Sequence, residues 1–333
     1  YFFSKFINEE KYTNFFNKKN QIDKKIFEFV ENLNPDLGIY FAQGENHGFI
    51  EFVRACKKLN IKTMQIIENW DNLSAKNISN PAPDFLVTLS EQQKKIAEKV
   101  HKFSNDKIFV LGSKKYDNFF KLRNSNYQLD IKSKYILFLE GWVWADQEKM
   151  FDVLDKFISQ EKIFDGIKIL YRPHPLRNEN YNLVNLKKYK NIILDPQMKY
   201  AYENNYFNLK SIPDEEYYAS LIKNAKMVIC GPTSMILESL ILEKKILVLA
   251  FKSKDYYSNY NFIKNMINYD YLKFIPSIKI NYSLNDIQND IVEIYKQNYN
   301  SDKKEIDKCL EFLIHNSELS HSERFNDLIK KLT

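Results

Sequence analysis

KMVICGPTSMILESLILEKKILVLAF, residues 226–251, alternates between two kinds of apolar run. Residues 226–230 and 245–251 are short and nearly continuous, as strands covered on both faces require. Between them, residues 233–243 read as a helix. Gly231 and Pro232 part strand from helix, because proline has no N–H for a ladder and glycine accepts the turn. Strand, short crossover helix and second strand together predict a parallel pair.

The same alternation runs through most of the chain. Residues 37–42, 62–67, 84–89 and 107–112 read as strands, with helices at 49–60 and from residue 91, where Ser90 supplies a cap. Residues 113–134 are polar, lack a clean period and read as a linker. The pattern then restarts, with strands at 135–140, 167–172 and 191–194 and helices at 147–158 and 214–225. Beyond residue 251 the chain reads as mostly helical. The expected fold class is α/β, two tandem Rossmann-like doubly wound domains at 1–128 and 129–333, with the last helix returning to the first domain. No opening strand is evident before residue 37 and the chain begins at Tyr1, so a first domain shortened at its start is expected. In such sheets ligands sit at the carboxyl ends of strands, and an interdomain cleft is the expected site.

Composition narrows the function classes. At 333 residues, with 44% apolar and 28% charged, the chain is long enough for two folded domains. No apolar run approaches the ~20 residues of a membrane span. Three widely spaced cysteines, Cys56, Cys230 and Cys309, argue against a disulfide framework and for a reducing compartment, so the cytoplasm is the expected location. The net charge of +6 is spread over many lysines. It suits phosphorylated ligands or peripheral contact with an anionic membrane surface, and it serves solubility equally well. No basic block with interleaved aromatics points to nucleic acid.

Three strand ends carry chemistry. After residue 230, Gly231 and Pro232 turn the chain and Thr233 and Ser234 open a helix, whose free N–H groups and hydroxyls suit a phosphate. Glu238, four residues after Ser234, lies one turn along the same face, placed for a ribose diol. Helix capping alone explains one hydroxyl. The second end is YRPHP, residues 171–175. Arg172 offers a bidentate phosphate fork, and two prolines fix His174, which can donate to a phosphate oxygen or to a leaving group. A rigid turn is the alternative. The third is FAQGENHGF, residues 41–49, where two of only seven glycines bracket Glu45, Asn46 and His47. Glu45 is a candidate general base there, with His47 as its rival, Gly44 and Asn46 on the acceptor side, and a capping loop as the alternative. Two weaker ends follow. Gly141, after Glu140, would let backbone approach a ligand, and Asp71 in ENWDNLS, residues 68–74, is another base candidate or a turn residue.

No P-loop, GxGxxG fingerprint or G-x-S-x-G elbow occurs, so ATP hydrolysis and hydride transfer lose ground. No DxD-type pair sits at a strand end, so nothing suggests a metal-carried diphosphate. Arg172-Pro173-His174-Pro175, together with Gly231-Pro232-Thr233-Ser234 and Glu238, resembles the GT-B glycosyltransferases of bacterial surface-polysaccharide assembly. The resemblance is to the group with an HP motif and a later Ser/Thr motif, which includes capsule polysialyltransferases, Kdo transferases and CDP-glycerol glycerophosphotransferases. NWDNLSAK, residues 69–76, is similar to a WDN segment of related surface-carbohydrate proteins. The resemblance covers about residues 37–255.

It implies metal-independent transfer from a nucleotide sugar, with no cofactor, to a glycan or lipid-linked acceptor. The second domain would hold the CMP-, CDP- or UDP-linked donor and the first the acceptor. Glu45 would deprotonate the attacking hydroxyl. His174, Arg172, Thr233 and Ser234 would stabilise the departing phosphate. Glycerol- or ribitol-phosphate transfer of the teichoic-acid type, and isomerisation like that of the UDP-N-acetylglucosamine 2-epimerases, are the alternatives. A sugar-nucleotide-binding partner without turnover is a fourth.

Overall fold

Two all-parallel sheets organise the chain in the computed structural model, which describes residues 22–41, 47–75, 81–141, 147–174, 185–199, 215–252 and 257–332, the side chains of 47, 147, 257 and 258 excepted. The chain divides into two compact units, Tyr1–Lys114 with Ser317–Thr333, and Lys115–Asn316.

The first unit carries β1 (Leu37–Phe41), β2 (Lys62–Ile66), β3 (Phe85–Thr88) and β4 (Ile108–Val110), adjacent in sequence order. Ser90 caps the helix Glu91–Lys99 as expected, its hydroxyl accepting from the Gln93 N–H at 3.2 Å. The helix His47–Lys58 lies so close to β1 that a Cβ on Gly38 would stand 2.9 Å from the Cys56 sulfur. The last helix, His321–Leu332, buries Leu328 against Met64, Ile66, Val87 and Leu111, and Arg324 Nε donates to the Leu111 carbonyl at 2.9 Å.

Among the described residues the second unit has six strands: β5 (Lys134–Leu139), β6 (Ile167–Arg172), β7 (Ile192–Leu194), β8 (Val228–Cys230), β9 (Ile246–Leu249) and β10 (Ile278–Asn281). Their order is β10-β9-β8-β5-β6-β7. The chain winds outward from β5 to β7, then returns to β8 on the other side of β5. The junction of β5 and β8 is therefore the topological switch point, where helices on either side leave a crevice at the carboxyl ends of the strands. After Lys134, every residue of β5 is buried, the signature of a sheet covered on both faces. Phe151, from the helix Gln147–Gln160, meets Phe138 of β5 and Tyr171 of β6 edge-on, with ring centroids 5.3 and 5.0 Å apart. Burying rings like these contributes about 1.5–3 kcal/mol each and fixes the ends of both strands.

Two readings are corrected. β10 lies in the stretch read as mostly helical, pairing with the edge of β9. The polar stretch read as a linker holds a helix, Lys114–Leu122, whose Tyr116 and Phe119 are buried. Just after it, Arg123 Nε donates to the Ile241 carbonyl at 2.7 Å. Among the described residues no helix is long and apolar enough to cross a membrane.

Candidate functional site

A cavity of about 330 Å³ opens in the second unit at this switch point. β5 supplies Glu140 just past its end, β6 supplies Arg172 and then His174, the turn after β8 supplies Thr233 and Ser234, and the helix Met235–Ile241 that follows supplies Glu238. Five residues singled out from sequence, Arg172, His174, Thr233, Ser234 and Glu238, thus line one cavity. Lys115, Phe119, Glu215 and Tyr218 complete its wall.

Each charged group in the wall is held. The Arg172 guanidinium is 6% exposed and ion-paired to Asp195, which follows β7. Asp195 also accepts from the Tyr217 hydroxyl at 2.5 Å and the Gln197 N–H at 3.1 Å. The Tyr218 ring stands under the guanidinium, 5.1 Å from its carbon to the ring centroid. Glu238, 2% exposed, accepts from the Tyr218 hydroxyl at 2.9 Å and pairs with Lys115. Glu140 accepts from the Tyr171 hydroxyl at 2.7 Å and from the His174 backbone N–H at 3.0 Å. That last bond ties the Pro173-His174 backbone to the end of β5.

His174 is half-buried, and desolvation lowers its pKa below the ordinary histidine value, so the ring is neutral at pH 7. A neutral ring presents one donor and one acceptor. Its folded state binds fewer protons than the unfolded chain as pH falls through the ordinary value of about 6.5, so stability falls on that side. Thermal melts from about pH 7 to about pH 5 should show a smaller acid loss in His174→Gln than in wild type; equal losses would refute the assignment. Burial pushes the Tyr218 phenol well above its ordinary value, with Glu238 adding to it, so Tyr218 stays a hydrogen-bond donor. Burial raises the Cys230 thiol in the same way, with Glu238 adding to it, which keeps it in the protonated form.

Ser234 stands at the N-cap of the helix Met235–Ile241 and makes no side-chain capping bond. Its hydroxyl is thus not consumed by the capping role considered for it. Gly231 and Pro232 lead into this turn, and a Cβ on Gly231 would meet the Asn259 amide at 3.4 Å. Gly141 follows Glu140 with open space where a Cβ would stand.

In the first unit, Asp71 closes a turn, its carbonyl accepting from the N–H groups of Ser74 and Ala75 at 2.9 and 2.8 Å. Neighbouring Trp70 is buried and donates to Gln92 at 2.7 Å. Gly44, Glu45 and Asn46, and the side chain of His47, lie outside the described residues, as does Pro175. Asp195, Tyr217, Tyr218 and Lys115 were not singled out from sequence. One signal was available: NIILDP, residues 191–196, ends a predicted strand in an acid just as IKILYR ends one in a base.

No protein-family model matches the chain, and no curated protein matches it. Solved structures do. The S. aureus MnaA–UDP co-structure aligns with TM-score 0.57 and 13% identity over 92% of this chain and 77% of that one. A structure described as a putative UDP-N-acetylglucosamine 2-epimerase from Listeria monocytogenes gives 0.56 and 12% over 92% and 77%. The Methanocaldococcus jannaschii UDP-GlcNAc 2-epimerase in complex with UDP-GlcNAc and UDP gives 0.55 and 15% over 92% and 79%. At this identity the likeness is one of fold: two parallel-sheet α/β units of the GT-B kind.

Proposed function

We propose that this chain is a glycosyltransferase, moving a sugar from a CMP-, CDP- or UDP-linked donor to a hydroxyl of a glycan or lipid-linked acceptor in surface-polysaccharide synthesis in the cytoplasm. The observation that carries the reading is the gathering of Arg172, His174, Thr233, Ser234 and Glu238 around one cavity at the switch point. The hydroxyls of Thr233 and Ser234 and an N–H of His174 would meet the donor's phosphate oxygens. Arg172 has five N–H donors, and its pairing with Asp195 occupies one nitrogen. Glu238, steadied by Tyr218 and Lys115, would accept from the ribose hydroxyls. Charge on the departing phosphate would be met by donors already in place, so the step is proposed to need no metal ion. Glu45, or His47, would take the acceptor's proton; this assignment rests on sequence. The ligands named for the neighbours, UDP and UDP-GlcNAc, support a nucleotide-sugar donor.

Isomerisation of UDP-N-acetylglucosamine is the second reading, supported by the shared fold of the epimerases. The choice of transfer rests on the Arg-Pro-His-Pro resemblance. Incubation with the sugar nucleotide alone separates the two: an isomerase converts it, whereas a transferase needs an acceptor. Phosphate retained in the product would point instead to glycerol- or ribitol-phosphate transfer. Among CMP, CDP, UDP and GDP, the matching nucleotide at 100-fold its Kd should add about 2.7 kcal/mol of stability, read as a rise of several degrees in Tm. No rise with any of the four would overturn the nucleotide site.

A further inference from the structure

The amino ends of the second unit's strands have a chemistry unlike their carboxyl ends. β5 starts at Lys134 and leads to Glu140. At ~3.3 Å per residue this separates its two ends by roughly 20 Å. Around the amino end lies a second cavity of about 450 Å³, lined by Lys132, Lys134, Lys223 and Lys226. Serine, asparagine, glutamine and tyrosine side chains stand between the lysines, and none of the lining residues is acidic. Among the described residues, none of these four lysines is ion-paired to a carboxylate. Lys223 Nζ donates to the Ser125 carbonyl at 2.6 Å, and Lys132, Lys134 and Lys226 are exposed.

Two further lysines stand behind this wall. Lys244 Nζ donates to the carbonyls of Lys223 and Ala225, and Lys245 Nζ to those of Tyr295 and Gln297. Burial first, and then the charges of Lys226, Lys223 and Lys245, hold the Lys244 amine down at about 8 against the opposing pull of Glu243. Burial, with Lys226, lowers Lys245 as well. Like charge thus disfavours the ammonium forms here, with Glu243 opposing it at Lys244. Such a like-charge cluster, facing a polar cavity, focuses a positive potential that a bound anion relieves.

We propose that this lysine-lined cavity binds a phosphate-bearing anion, at a site separate from the nucleotide cavity and independent of the reading given to it. An ammonium is a point donor with three N–H groups, suited to phosphate oxygens without fixed geometry. Two sources share this chemistry: the headgroup of an anionic phospholipid and a free oligophosphate.

Two measurements on the full chain distinguish them. One is co-sedimentation with phosphatidylcholine vesicles with and without phosphatidylglycerol, and the other is thermal shift with inorganic pyrophosphate. Each is repeated on the triple variant Lys132→Glu, Lys134→Glu, Lys226→Glu. The neutral triple variant, with Gln at the same positions, guards against misfolding by charge reversal. If the lipid is the source, wild type binds only the phosphatidylglycerol vesicles, neutralisation weakens binding roughly 100-fold, about fivefold per lysine, and charge reversal weakens it further. The neutral variant falls between, and added salt weakens the wild type. If a free oligophosphate is the source, pyrophosphate raises the Tm of wild type and not of the Glu variant, while vesicles do nothing. Absence of both responses in wild type, or responses of equal size in all three proteins, would overturn the proposal.

Discussion

Asp195→Ala is expected to cost about 3–5 kcal/mol of unfolding free energy, because it strands a buried cation. Asp195 is fully buried at the end of β7 and serves Arg172, Tyr217 and the Gln197 backbone at once. Alanine removes the carboxylate that pairs with the buried Arg172 and the oxygen that accepts from the Tyr217 hydroxyl. Both side chains are largely buried, so the lost partner is replaced poorly. Asp195→Asn keeps the shape and one acceptor oxygen but not the charge, and should lose less. Urea denaturation reads the difference as a fall in midpoint at constant m-value. A cycle with Arg172→Met tests the cause: with both charges gone the loss should shrink well below the sum of the single losses. Additive losses, or an unchanged midpoint in Asp195→Ala, would show that the two groups do not act as a pair. Nucleotide binding should weaken in the same variant, since Arg172 would no longer be fixed at the cavity wall.

How much of this site could be read from sequence follows from the distance over which each part is specified. Runs such as 167–172 and 245–251 were legible because a strand buried on both faces must be apolar throughout, and that is a local property. The turn at Gly231 and Pro232, and the prolines beside His174, were legible for the same reason: each restricts its own backbone. β10 escaped because Ile278 and Ile280 alternate with Lys279 and Asn281, a four-residue pattern inside Asn- and Tyr-rich sequence. The helix Lys114–Leu122 escaped because its buried face is made of aromatics set among charges. The wall residues are a different case. Arg172 and Asp195 are 23 positions apart and meet only because β6 and β7 pair with Tyr171 beside Leu194, so that each charge stands one residue beyond a paired position. Tyr218 and Glu238 depend likewise on two helices, Glu215–Asn224 before β8 and Met235–Ile241 after it, being brought together. Strand-end chemistry is local, whereas the partners that hold it are set by strand order, which a single sequence does not display.

His174→Ala tests the catalytic side of the reading, and the geometry says what should survive the change. The segment that carries His174 is anchored by its backbone N–H on Glu140 at 3.0 Å, a bond that alanine retains. Pro173, on the N-terminal side, still restricts the turn. Fold and nucleotide binding should therefore persist, with the nucleotide-induced rise in Tm little changed. What disappears is the imidazole at the cavity wall, the donor that the proposed step uses. Loss of such a donor costs roughly 100- to 1,000-fold in kcat when it acts on charge that develops in the transition state. In the proposed transfer that charge would be the phosphate oxygen's as the sugar leaves, so kcat should fall while KM stays near its original value. A rise in KM alone would mean that His174 binds ground state and transition state equally and only helps to hold the donor. His174→Gln, which still carries an N–H, should recover part of the rate. Glutamine does not titrate, so any change in rate that follows proton uptake by the wild-type imidazole should be absent from the His174→Gln profile. Full activity in His174→Ala would remove this residue from the mechanism and leave Arg172, Thr233 and Ser234 as the candidate phosphate ligands.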